Sequence, residues 1–437
     1  MERLLYLIAL IMICCFGCKK DKKNGPNDNI STVKIQLVSG GNQKDTIGNR
    51  LKDSIVVKIT DSGVPSVNYT IQFKRSGCED VSITSKTTTV NGLVSYPWYL
   101  SGETGGQLLK VIVSDNSGNK KDSISVMATG LAALHGWHRG GCMQNFPVNA
   151  VSGLSSGRIF ASLNKVDYPY YSDDNAASWH PLKSFTNSHF ITKIVPGANN
   201  EVFVATQNEG VFYSKDNGQT WANISAGITD PTAFADFTYT KNGNLIYTNN
   251  SGVYISTDKG ANWTEASYGL PDGPSYYPCE QLNGDLYVIG SDAELYKTTD
   301  GGNNWKDQGS DLGNILLESV ESMFIDANGD MYIGVPSNGP GSDGSIYRST
   351  NQGTTWSQVY SNTPLDNSYA NVTQISKLGS TYYFSFAGRG VYQTPNFSTY
   401  SNITARFAQY GLLSYTLSQN STFILGSPGF GVFYYVP

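Results

Sequence analysis

Two patterns of apolar and polar positions divide the chain. Between residues 31 and 129 they alternate with period two in short runs such as Val33-Lys-Ile-Gln-Leu-Val38, Ser54-Ile-Val-Val-Lys-Ile59, Tyr69-Thr-Ile-Gln-Phe73 and Leu108-Leu-Lys-Val-Ile-Val113, separated by Gly, Asn, Asp and Ser turns. That is how strands with one buried face read. Roughly seven of them in about 100 residues predict a small β-sandwich, with Trp98 as a core plug. From residue 131 to 437 the pattern repeats in short strand units. A strand after a tight turn occurs seven times, at 157–162, 201–206, 244–249, 285–290, 330–335, 381–386 and 422–427. Several copies follow Asn-Gly, as at Asn242-Gly243, Asn283-Gly284 and Asn328-Gly329, the residues of a type I′ hairpin. A further strand follows six of them, as in Gly210-Val-Phe-Tyr-Ser214 and Gly252-Val-Tyr-Ile-Ser256.

These further strands, the third of each unit, run into the most regular feature of the chain. Ser214-Lys-Asp216-Asn-Gly218-Gln-Thr-Trp221 recurs 42 residues on as Ser256-Thr-Asp258-Lys-Gly260-Ala-Asn-Trp263, and 42 further on as Thr298-Thr-Asp300-Gly-Gly302-Asn-Asn-Trp305. A decayed first copy has Ser172, Asp174 and Trp179 with Ala176 for the glycine, and a fifth has Ser349, Asn351, Gly353 and Trp356. A period near 42 built of short strands predicts a propeller made blade by blade. The count is seven blades. The last lacks a fourth strand at the C-terminus, and residues 134–139, with Trp137 where the other units have their Trp, are placed to supply it and cover the free edges.

The repeated pattern resembles the Asp-box (BNR) repeat of sialidases, the Vps10/sortilin family and Ycf48-like assembly factors. The stretch Thr89–Leu100 with the strand to Val113 is similar to a bacterial Ig-like (invasin-type) domain. The fold class expected is therefore all-β, an Ig-like sandwich over 31–129 followed by a seven-bladed Asp-box propeller over 131–437. In the families resembled, the boxes lie on the rim opposite the functional face. Physically, the Asp accepts turn N–H groups, the Gly takes a positive φ and the hydroxyl adds a local bond, so these residues are read as structural.

The N-terminus adds an address. Residues 1–17 carry the apolar run Leu4–Ile13 and then Cys14-Cys-Phe-Gly-Cys18, too short to span a bilayer and shaped like an export signal. The ending is similar to a lipobox, with Cys18 as the lipidated residue, Phe16 and Cys15 departing from the strict pattern, and a polar tether over 18–30. A plain secretory peptide or an uncleaved anchor is the alternative. Acyl chains at about 0.8 kcal/mol per buried CH₂ would hold the protein on a membrane. Cell envelope, outer membrane included, is the localisation this implies, with the side left open. Net charge is −5, with 39% apolar and 15% charged residues, and no basic block follows the tail, which argues against nucleic acid. Cys78, Cys142 and Cys279 fit neither a zinc site nor a redox pair. His135 and His138 fall on opposite faces of a strand. No metal or cofactor is expected.

A sialidase needs three arginines on the substrate carboxylate, and the propeller offers Arg139, Arg158, Arg348, Arg389 and Arg406. Arg158-Ile-Phe lacks the Pro of the family's Arg-Ile-Pro and falls on the second strand. The arginine-rich patch of Ycf48-like proteins is not found either. The candidate ligand face is the end of the ring away from the boxes, where the loop 164–170 with Tyr168, the inserted loop 337–343 with Asp343, and Tyr276, Tyr277, Asp292, Tyr369 and Arg389 lie. Aromatic rings beside Asn and Asp suit a glycan or a peptide. The reading is a lipid-anchored envelope binding or scaffold protein with a protein or glycan partner and no catalytic residues. The alternatives are a glycoside hydrolase using the same face and an assembly factor for a membrane complex.

Overall fold

The computed structural model describes residues 32–47, 49–75, 86–100, 105–131, 136–140, 143, 146–164, 166, 168–185, 190–232, 234–272, 276–290, 293–312, 320–336, 344–360, 371–386, 390–404, 414–417, 423–427 and 431–436. Among them the chain is all-β, and no helix is long and apolar enough to cross a membrane.

The N-terminal strands form two sheets around one core. Val33–Ser39 pairs with Ile55–Asp61, which also carries Val64–Pro65 and Leu93–Tyr96. The other sheet runs Gln43–Thr46, Lys120–Leu131, Gly105–Ser114, Thr70–Arg75, Lys86–Thr87. Alternation does the sorting: Ile55, Val57 and Ile59 of one sheet meet Ile71, Phe73, Leu109, Val111 and Val113 of the other. Trp98 is 1% exposed among them, and Phe73 stacks on Tyr96 at 4.3 Å.

From Gly136 on, the described strands form seven four-stranded antiparallel sheets. The third, Phe234–Tyr239, Leu245–Asn249, Gly252–Ser256 and Thr264–Glu265, serves as the pattern. Inner strands of successive sheets lie side by side, and the ring closes where Val151 and Gly153 of the first sheet donate backbone N–H groups to Ser414 and Thr416 of the seventh, at 3.2 and 3.1 Å. The second strand of each sheet is pressed between neighbours on both faces. In Ile159–Leu163, Val202–Thr206, Leu245–Asn249, Leu286–Gly290, Met331–Val335 and Phe423–Ser427 every residue is buried, which is why these segments read as unbroken apolar runs. Their few polar side chains are satisfied locally, as where Thr248 Oγ1 donates to the Tyr276 carbonyl of the next sheet at 2.7 Å.

The seventh sheet is completed from the far end of the repeat. Gly136–Arg139 pairs with Gly431–Val436 as its outermost strand. Trp137 Nε1 donates to the Ile403 carbonyl of the sixth sheet at 2.7 Å, as Trp263 and Trp305 donate to Ile224 and Ala266 of the sheets before them at 2.6 Å. His135 lies outside the described residues, and His138 is buried against Tyr434.

The Asn-Gly hairpins differ from the type I′ turn expected. Only the glycines have positive φ, 85° at Gly243, 91° at Gly284 and 87° at Gly329. Gly243 N donates to Thr240 O at 2.9 Å while Thr240 N donates to Asn244 O at 2.8 Å. These are longer hairpins, a type I turn closed by a left-handed glycine, a geometry that needs one positive φ and not two.

Candidate functional site

The two ends of the ring are built differently. At one end lie the turns that join third and outermost strands. In four of them the hydroxyl of Ser172, Ser214, Ser256 or Thr298 donates to the carboxylate two residues on, at 2.7–2.8 Å, and accepts the backbone N–H of Ala176, Gly218, Gly260 or Gly302. The other carboxylate oxygen of Asp174, Asp216, Asp258 and Asp300 accepts from the side chain of Ser178, Thr220, Asn262 and Asn304 at 2.5–2.7 Å. Bonds from Asn304 and Thr298 hold the Asp300 carboxyl down to about 2. In the fifth turn Asn351 replaces the acid, and its amide donates to Thr355 Oγ1 instead, at 2.8 Å. Trp179, Trp263, Trp305 and Trp356 are buried beside these turns and Trp221 is half-buried. Each of these four carboxylates accepts three bonds from its own turn, which is the part of a structural brace.

The same end carries two arginines, both committed. Arg158 grips Asp173 with two bonds of 2.7 Å, donates to the Asn217 carbonyl at 2.8 Å and lies 4.0 Å over the Tyr171 ring. Arg348 is paired with Asp330.

At the opposite end the ring opens into a cleft of about 510 Å³. Asn164, Gln207 and Asn250 line it, each the residue that follows the second strand of its sheet in the first, second and third sheets. Asn149 and Thr192 contribute from the inner strands, Thr232 from the approach to the third sheet, and Phe190 is an exposed ring among them. Deeper among the inner strands, a smaller cavity of about 230 Å³ is bounded by Lys193, Asp236, Tyr277, Glu321 and Gln374. Lys193 is ion-paired with Asp236 across two sheets, and Asn371 donates to Glu321 at 2.7 Å. Burial pushes the Glu321 carboxyl above its usual range despite that bond. Burial, with the charges of Asp236 and Glu321 close by, also raises the Tyr277 hydroxyl. Among the described residues no three His, Cys, Asp or Glu side chains group as metal ligands.

The BNR/Asp-box repeat family model matches residues 212–223, the third strand and turn of the second sheet. The chain fits the BNR/Asp-box propeller family. No curated protein matches the sequence. Solved structures share the propeller-type fold at low identity. YCF48 bound to D1 peptide superposes with TM-score 0.51 and 14% identity, covering 70% of this chain and 96% of that one. The extracellular domain of BT4673 from B. thetaiotaomicron gives 0.53 and 14%, over 69% of this chain and 40% of that one. PorZ, a surface component of the type-IX secretion system of Porphyromonas gingivalis, gives 0.51 and 12%, over 89% and 61%.

The residues singled out for the propeller's ligand face are scattered. Tyr277 is half-buried in the inner cavity. Tyr168 is half-buried against Tyr170, 5.6 Å between ring centres. Tyr276 is a correction: it is 1% exposed and its hydroxyl donates to the Pro271 carbonyl at 2.8 Å, because the inner strand begins there and turns the ring between two sheets. Asp292, Asp343, Tyr369 and Arg389 lie outside the described residues, as do Cys18, Cys78 and Cys142. Cys279 is a free thiol that burial pushes up to about 12. What the sequence reading missed is the row of amides at 164, 207 and 250. Position 164 opens one of the loops read as ligand-facing, and the three amides stand 43 residues apart, close to the 42-residue repeat of the boxes.

Proposed function

We propose that the chain is a lipid-anchored cell-envelope protein, tethered through Cys18 and residues 18–30, with an Ig-like spacer over 31–129 and a seven-bladed Asp-box propeller over 131–437 that binds a protein or glycan partner without chemistry. The observation that carries this reading is the contrast between the two ends of the ring. At the box end, the carboxylates and the described arginines are spent on holding turns. At the other end, a concave surface presents polar side chains on a rigid scaffold, the usual construction of a recognition site. The likeness to YCF48 bound to D1 peptide, and to extracellular and surface components, supports a binding role in the envelope.

One observation favours a second reading, a glycoside hydrolase. The inner cavity is lined by Asp236, Glu321 and Tyr277 among others, and a half-buried carboxyl whose pKa is raised by burial is what a general acid requires. A glycan array and a panel of chromogenic glycosides, run on the purified full chain and its Glu321→Gln variant, separate the two. Turnover that Glu321→Gln abolishes refutes the binding-only reading. Binding without turnover supports it. Silence on both panels, with a stable protein complex isolated from the envelope, favours an assembly factor.

A further inference from the structure

We infer that the cleft at the open end of the ring is a subsite for a neutral glycan chain, read by the carboxamides of Asn164, Gln207 and Asn250 with Phe190 as the stacking platform. The inference rests on the binding role proposed above and names its ligand class.

Three features of the cleft lead there. The first is placement. The three amides occupy one structural position on three successive sheets, 43 residues apart, so they fan along the rim as a repeated donor and acceptor pair. A carboxamide offers two N–H groups and a carbonyl oxygen in one plane, which matches the donor and acceptor capacity of neighbouring sugar hydroxyls. The second is rigidity. Asn164 N donates to the Pro147 carbonyl at 2.7 Å and Gln207 N to the Phe190 carbonyl at 2.9 Å, so two of the amides and the platform spring from backbone fixed at the start of an inner strand. Fixed attachment points lower the ordering cost of binding. The third is charge. Among the described residues lining the cleft none is ionisable. An anionic sugar entering it would meet no cation among these lining residues, and the carboxylate bonded to the lining Thr232 is Asp230, whereas hydroxyls exchange water for amides at little cost. Phe190, 37% exposed in otherwise polar surroundings, supplies the apolar face that a pyranose C–H surface covers. A volume near 510 Å³ falls in the range of about 300–1,000 Å³ typical of small-ligand sites. A peptide adding as a strand needs a free sheet edge, and this cleft is made of strand ends.

The test is isothermal titration of the purified full chain with cellohexaose, laminarihexaose, maltohexaose and xylohexaose, and with sialyllactose and a polygalacturonate oligomer as anionic probes. Gln207→Ala and Phe190→Ala are run beside the wild type, each checked for an unchanged melting temperature, and Phe190→Leu is added to keep apolar volume while removing the aromatic face. The expected result is binding of at least one neutral hexaose, weakened about tenfold or more in each variant, the scale of one or two lost contacts. Binding confined to the anionic probes, or neutral binding that no variant changes, overturns the assignment and leaves the binding role of the ring intact. If no hexaose binds, the assignment also fails. A photo-crosslinking residue at position 250 of the full chain in cells then decides the broader reading: an envelope adduct keeps it, and no adduct removes it as well.

Discussion

Adjacent glycines in one box make a sharp test of how the propeller is packed. Gly301 and Gly302 both have left-handed φ, 71° and 96°. A Cβ at Gly301 would meet nothing within 4 Å, whereas one at Gly302 would stand 2.2 Å from Ile255 Cδ1 and 3.3 Å from Ala266 Cβ in the preceding sheet. The equivalents of Gly301 are Asn175, Asn217, Lys259 and Gln352, all with φ near 60°, so the turn accepts side chains there. The equivalents of Gly302 are Gly218, Gly260 and Gly353, each with a neighbour at 2.8 Å or less, and only the first box has an alanine, Ala176. Room exists there because the neighbour is Gly140, where a Cβ would stand 3.0 Å from the Ala176 carbonyl oxygen. Gly301→Ala should cost about 1–2 kcal/mol, the left-handed penalty alone. Gly302→Ala should add an overpacking penalty of about 1–3 kcal/mol, for a total of about 2–5. Urea midpoints read the difference, and amide exchange at Leu295–Thr298 localises it. Ile255→Val removes the clashing Cδ1 and should recover about 1 kcal/mol or more of the Gly302→Ala loss in a double-mutant cycle. Equal effects at 301 and 302, or a cycle with no coupling, would refute the reading that these glycines are selected by contact between sheets.

Three further outcomes follow from the same geometry. Trp137→Phe keeps the ring but loses the indole bond to Ile403, so the fold should weaken by about 1 kcal/mol, with faster amide exchange in Val432–Tyr435; unchanged exchange there would count against the closure. Asp216, Asp258 and Asp300 are all held below their usual value of 3.8, Asp300 at about 2. Their contribution is complete above about pH 4 and lost as pH falls toward 2, so melting temperature should drop across that window and Asp300→Asn should flatten the drop. Glu321 has the opposite sign. With its carboxyl raised above 4.5 by burial, the folded state holds the proton more tightly, so stability falls as pH rises through that titration. Glu321→Gln should therefore raise the melting temperature at pH 7 and leave it nearly unchanged at pH 4, and a fall at pH 7 would contradict the assignment.

The box turns were legible because three constraints coincide in each: a hydroxyl that bonds back, an acid that gathers N–H groups and a glycine squeezed against the next sheet. Each alone is common, and together they mark a period. The Asn-Gly hairpins were legible only as turns, since one left-handed residue and two leave the same dipeptide in the sequence. Tyr276 misled for a related reason. A tyrosine after Pro271-Asp-Gly-Pro-Ser275 reads as a loop aromatic, and only the register Tyr276↔Gly290 shows that the inner strand has begun and that the ring points between sheets. The amide row is not legible by residue type, because Asn and Gln at loop starts are ordinary turn residues, although its spacing of 43 is close to the 42-residue period of the boxes. Every unit must solve the packing problem at the box end, so the same residue types recur there in five of the seven units. At the open end packing imposes no such demand, since the residue after the second strand is a solvent-facing loop start. Amides at that one position in three successive units, and not around the whole ring, are what the inferred glycan subsite requires of that sector of the rim.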